Sequence, residues 1–171
     1  MKPADLVTPQ LIQHCSNFNT IVVLGYTKTG KLPIAKKLAQ ELDRPLFVSD
    51  EYLELKDPLE AFMGDVTWHQ RRGNKIIIEG TLCFRLLRKG LELSNFNTDL
   101  IIKTKCNDET IKYFYNQDGE SHKIKRALSF NQGLNKIWDE YRANLLSHRG
   151  IIKTPTFLEL ETTLPEFSYF P

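Results

Sequence analysis

The chain has 171 residues, a formal net charge of +2, 41% apolar residues and 26% charged residues. This make-up suits one globular domain with a substantial core, and it excludes a disordered or collagen-like chain. The near-balanced charge leaves a nucleic-acid partner possible but not indicated, and no apolar run approaches the ~18 residues of a membrane span.

Residues 1–19 read as an N-terminal extension in which Pro9 to Ile12 can begin a helical turn over a sheet edge. Asp5 and polar breaks leave no signal-peptide core there. Four β-favouring residues, Ile21 to Leu24, then lead into the loop Gly25-Tyr26-Thr27-Lys28-Thr29-Gly30-Lys31. A helical pattern follows, with Leu32, Ala35, Leu38, Ala39 and Leu42 on one face. The loop fits G-x-x-x-x-G-K in the strand–loop–helix setting that a phosphate-binding P-loop requires. Its glycines let successive N–H groups turn inward around an anion, and the helix N-terminus adds partial positive charge. Gly25, Tyr26, Thr27, Lys28, Thr29, Gly30, Lys31 and Leu32 are therefore candidate nucleotide ligands, with Lys31 reaching the terminal phosphates. The motif departs from its usual form at Leu32-Pro33, where a hydroxyl would ligate Mg²⁺.

Beyond Asp43-Arg44-Pro45, Leu46 to Val48 form a short strand followed by Ser49-Asp50-Glu51-Tyr52. Asp57-Pro58 starts a helix carrying Leu59, Phe62, Met63 and Val66 inward to about Arg72-Gly73. Lys75 to Ile78 is a strand ending at Glu79-Gly80, and Thr81 to Lys89 is helical, stopped by Gly90. Leu100 to Ile102 form another buried strand. Asn107 or Asp108 caps a helix to about Asn116. A basic stretch from His122 to Arg126 opens a long helix bearing Leu128, Leu134, Ile137, Trp138, Tyr141 and Leu145. Ile151-Ile152 starts a last strand, and residues 155–171 form a proline-punctuated tail. Strands thus alternate with helices five times, which predicts an α/β fold with a five-stranded parallel sheet and helices on both faces. Residues 20–171 would make one domain, with a basic lid near 118–130.

Ligands in such sheets bind beyond the carboxyl ends of the strands. The P-loop, Asp50 and Glu79 stand there. Asp50 can accept the proton of an acceptor hydroxyl, and it or Glu79 can hold Mg²⁺, Glu79 directly or through water. Lys123, Lys125 and Arg126 can fold over ATP as a lid, with Arg126 the best fork for phosphate. Arg71-Arg72 and Arg85, Arg88 and Lys89 read as solvated helix faces, though either group could contact an anionic substrate, and Trp68 and Trp138 read as core. The four histidines and three cysteines show no ligand spacing, which fits reduced thiols and a cytoplasmic location.

In that order and spacing, GYTKTGK, VSDEYLE, NKIIIEGTLCF and KIKRALSFNQG resemble the small P-loop kinases of the uridine kinase and phosphoribulokinase group, over about residues 20–153. The resemblance implies transfer of the ATP γ-phosphate, with Mg²⁺, to a hydroxyl of a small molecule. It makes Asp50 the base, Lys31 the phosphate ligand and Arg126 the lid cation. The acceptor would be a nucleoside or nucleotide-like compound. Two other readings stand beside it. One is a nucleotide-binding module that has lost catalysis, supported by Leu32. The other is a kinase acting on a polynucleotide hydroxyl, which the basic patches permit.

Overall fold

The computed structural model describes residues 2–147 and 153–162. Five parallel strands form one sheet in the order β2-β3-β1-β4-β5. They are β1 (Thr20–Gly25), β2 (Leu46–Val48), β3 (Ile76–Glu79), β4 (Leu100–Lys105) and β5 (Thr156–Glu161). The helices are α1 (Pro9–Ser16), α2 (Lys31–Leu42), α3 (Pro58–Arg71), α4 (Leu82–Leu93), α5 (Asp108–Gln117) and α6 (Ile124–Ser147).

The central strands are apolar throughout because both of their faces are covered. Val22, Leu24, Ile76, Ile78 and Ile101 face one way, into a core with Phe62, Val66, Phe84, Leu86, Leu134 and Trp138 from α3, α4 and α6. The alternate residues Ile21, Val23, Ile77, Leu100 and Ile102 face the other way, onto Leu11 and Cys15 of α1 and Ile34, Ala35 and Leu38 of α2. This is the period of two expected of strands. Each fully buried side chain of this size contributes about 1.5–3 kcal/mol. The N-terminal residues share this second core, since Val7 is buried in it and α1 opens on Thr8, whose hydroxyl accepts from Leu11 N at 3.2 Å.

Three expectations change. Gly90 does not stop α4; it is buried against Phe96 inside a helix that runs on to Leu93. The last strand is Thr156–Glu161, within the stretch read as tail, and Ile151-Ile152 lie outside the described residues. This strand sits at the sheet edge and alternates exposed with half-buried residues, so it lacks the unbroken apolar signature of the strands inside the sheet. Trp138 is core, but Trp68 is half exposed, with the Arg72 guanidinium 3.4 Å from its ring centroid.

Register sets the site. Val23 pairs with Glu79, Val48 with Glu79, and Gly25 with Thr104. The ends of β2 and β3 therefore lie beside the start of the P-loop.

Candidate active site

The P-loop leaves β1 at Gly25, where the chain has no room for a side chain. A Cβ there would lie 2.0 Å from Thr104 Oγ1 and 2.9 Å from the Thr104 carbonyl oxygen. Thr29 Oγ1 donates to the Tyr26 carbonyl at 2.8 Å and meets the Thr104 hydroxyl at 2.6 Å, closing the loop over the end of β4. Gly30 takes a left-handed φ of +74° and turns the chain into α2. Lys31 follows at once, its ammonium 3.4 Å from the Tyr26 carbonyl.

Lys31 and Glu79 come together as the sequence suggested, with Nζ 3.9 Å from Oε1 and both side chains largely buried. Burial drives the Glu79 carboxyl up to about 7; Lys31 pulls it down, and the Asp50 charge pushes it up again. Asp50 is exposed, in a short 3-10 turn over Ser49–Tyr52 directly after β2. Its neighbour Ser49 is fully buried, and the Ser49 hydroxyl accepts from Leu82 N at the start of α4 at 3.4 Å. The turn carrying Asp50 is in this way joined to the element after Glu79.

Lys28 lines the loop and is paired with carboxylates. It sits at a φ of 60°, and its ammonium meets Asp118 at 2.5 Å and Glu120 at 3.3 Å. The hydrogen bond to Asp118 is the main reason its pKa is raised. The side chain thus ties the P-loop to the turn after α5. The basic stretch divides. Lys123 pairs with Glu120. Lys125 and Arg126 line a cavity of about 780 Å³ with Arg85, His122, Phe130 and Ile137. A separate cavity of about 310 Å³ is walled by residues 28–33 of the loop and helix start together with Pro3, Phe114, Asp118 and Thr162.

Sequence reasoning missed the residues that brace the loop from α6. Asn131 Oδ1 accepts from Thr27 N at 3.3 Å, and Asn135 Oδ1 accepts from the Tyr26 hydroxyl. It also missed Thr104 and Lys103. The Lys103 ammonium is buried 5.5 Å from the Tyr26 ring centroid and 5.0 Å from that of Trp138, and burial lowers its pKa. The signal for both was the polar pair that follows Leu100-Ile101-Ile102.

These residues fit a polyphosphate and a divalent ion. Gly25 and Gly30 allow the close backbone approach that phosphate needs, and Thr27 Oγ1 and Asn131 Nδ2 are buried at the loop without a protein partner. The Asp50 charge acts on Glu79 and raises its pKa. Among the described residues, no group of three or more His, Cys, Asp or Glu gathers to enclose an ion. A Mg²⁺ site here would therefore consist of carboxylate, water and phosphate oxygens, an arrangement that ion accepts readily.

No family model matches the sequence, and no curated protein matches it. Among solved structures the fold is similar to a protein from Chloroflexus aurantiacus J-10-fl provisionally described as a kinase, with a TM-score of 0.52 and 17% identity over 86% of this chain and 90% of that one. It is also similar to the shikimate kinase from Acinetobacter baumannii solved in complex with shikimate, with a TM-score of 0.51 and 14% identity over 90% of this chain and 89% of that one. The class defined by strand order and P-loop geometry is a nucleotide-kinase-like α/β domain.

Proposed function

We propose that this protein transfers the γ-phosphate of ATP to a hydroxyl of a small metabolite, with a nucleoside or nucleotide-like acceptor as in the uridine kinase and phosphoribulokinase group. The observation that carries the reading is the convergence at three adjacent strand ends. The P-loop leaves β1, Asp50 follows β2, and Glu79 ends β3 with Lys31 3.9 Å away.

Each residue then has a task. The loop N–H groups and the Lys31 ammonium cradle the phosphates and oppose the charge that spreads over them during transfer. Asp50, exposed beside this cradle, takes the proton of the attacking hydroxyl. Glu79 and Asp50 would hold Mg²⁺, which when bound neutralises charge on the phosphate oxygens. With a pKa near 7, Glu79 is ionised most fully when a cation lies beside it. Asn131 and Asn135 keep the loop in its phosphate-ready shape by fixing Thr27 and Tyr26 from outside.

The test is transfer of γ-labelled phosphate from MgATP to a pooled panel of nucleosides, nucleoside monophosphates, sugars, hydroxy acids and short oligonucleotides. A labelled product that is absent with Lys31→Ala is expected. One observation favours a second reading, a module that binds ATP without turning it over: Leu32, which borders the loop cavity, has no hydroxyl to offer Mg²⁺. ATP binding that is indifferent to Mg²⁺, without any labelled product, would select it. The basic patches that would serve a polynucleotide acceptor divide: Arg88 and Lys89 are paired with Glu140 and Glu60 and Arg72 lies over Trp68, while Arg85, Lys125 and Arg126 have no ion-pair partner among the described residues, and salt-sensitive oligonucleotide binding would select that reading.

A further inference from the structure

The larger cavity sits between α4 and α6. Both helices have a fixed relation to the P-loop site. Glu79 leads through Gly80-Thr81 into α4, whose second turn carries Arg85. The stretch of α6 that lines the cavity, Lys125 to Ile137, also contains Asn131 and Asn135, which hold Thr27 and Tyr26 of the loop. The Phe84 and Trp138 rings meet edge to face and join the two helices. The cavity and the loop therefore both lie against α6.

Its lining carries charge of one sign, with no acidic residue among the cavity walls. Several other cations have acidic partners: Lys28 has Asp118 and Glu120, Lys31 has Glu79, Arg88 has Glu140, Lys89 has Glu60 and Lys123 has Glu120. Arg85, Lys125 and Arg126 line one cavity, and none has an ion-pair partner among the described residues. Three unmatched cations around one space repel one another until an anion enters. Arginine forks suit the planar or tetrahedral oxygens of carboxylate and phosphate. Leu134, Ile137 and the half-exposed ring of Phe130 give the same cavity an apolar wall for a carbon skeleton.

We propose that this cavity holds the acceptor, and that the acceptor is an anion: a hydroxyl compound that also bears a phosphate or carboxylate, gripped by Arg85, Lys125 and Arg126. The assignment rests on the phosphotransfer reading and narrows its substrate class. It also moves Arg126 from a lid over ATP to the neighbouring subsite.

The test is calorimetric binding to the full-length protein saturated with a non-hydrolysable ATP analogue. The probes are glucose, glucose 6-phosphate, glucuronate, uridine, uridine 5′-monophosphate and inorganic phosphate. Binding of at least one anionic probe is expected, at least tenfold tighter than its neutral counterpart and weakened by added salt. Preference for the phosphate or the carboxylate member identifies the group, and either supports the proposal. Arg85→Gln and Arg126→Gln should each weaken that probe about tenfold, a loss typical of a charge-assisted contact, while affinity for the ATP analogue stays unchanged. Gly133→Leu gives an independent variant, because a Cβ at Gly133 meets nothing within 4 Å and a leucine there fills cavity space in a residue the helix accepts. It should weaken the same probe at least fivefold with no loss of thermal stability. The proposal is overturned if no anionic probe binds, if neutral probes bind equally well, or if the arginine variants lose the ATP analogue instead. ATP-analogue affinity is read separately, so loss of nucleotide binding with anion binding intact refutes the kinase reading, and the reverse refutes only this assignment.

Discussion

The two cavities beside the sheet handle charge in opposite ways. In the loop cavity each lysine has a carboxylate in reach, Lys28 through Asp118 and Glu120 and Lys31 through Glu79. In the cavity between α4 and α6, Arg85, Lys125 and Arg126 stand without one among the described residues. On the proposed reading the backbone of the first does the binding, so its side-chain charges can be balanced before ligand arrives. The second, walled by side chains of α4 and α6, would then depend on side-chain charge. Substitutions in the first should therefore disrupt catalysis or folding, and substitutions in the second should alter only which acceptor is bound.

The largest expected effect is Lys31→Ala, which removes the ammonium proposed to meet the terminal phosphates and should cut phosphate transfer by about 10³-fold or more, judged against the loss of a preorganised charge contact. Circular dichroism should show the fold intact. Asp50→Asn comes next. Loss of a general base costs about 10²–10⁴-fold in turnover, and because Asp50 is exposed and outside the loop, ATP affinity should stay within a few fold. Full activity in this variant would remove Asp50 from the role of base.

Glu79 gives a pH-dependent prediction. Its folded pKa of about 7 lies above the ordinary 4.5, so the stability tied to this group is fully present below pH 4.5 and is lost as pH rises through 7. A shift of this size corresponds to about 3 kcal/mol at 1.36 kcal/mol per pH unit. Urea unfolding at pH 5 and pH 8 should show wild type losing stability relative to Glu79→Gln across that interval. A constant difference between the two proteins would mean that the carboxyl titrates normally. Gly25→Ala places a methyl against Thr104 and should cost about 1–3 kcal/mol by overpacking, read as a fall in melting temperature. Lys103→Met is the smallest effect and runs the other way. It removes a buried cation whose desolvation is only partly offset by the Tyr26 and Trp138 rings, and it should stabilise the fold by about 1 kcal/mol.

What could be read from the sequence follows from how local each feature is. The loop was legible because its chemistry is contiguous, and β1, β3 and β4 because strands covered on both faces are apolar without interruption. Asp50 and Glu79 were legible as strand ends, but their proximity depends on strand order, which no motif states. Edge strand β5 gave no signal, since Thr156 to Glu161 mixes charged and apolar residues after a proline. Asn131 and Asn135 look like any polar residues of a solvated helix, and only the docking of α6 makes them braces of the loop. Arg85 read as a helix-face arginine that could also contact an anionic substrate. The role proposed for it depends on Lys125 and Arg126 of α6, which have no ion-pair partner among the described residues and stand about forty residues away in the chain.

The division of labour between the two cavities is tested most directly by the affinity for MgATP of three proteins: wild type, Lys31→Ala and the Arg85→Gln, Arg126→Gln double variant. A loss of about 100-fold or more in Lys31→Ala, with the double variant within twofold of wild type, is the result expected of a nucleotide held at the loop and an acceptor held by the arginines. Equal losses in both variants, or tight binding that survives Lys31→Ala but not the arginine changes, would contradict it.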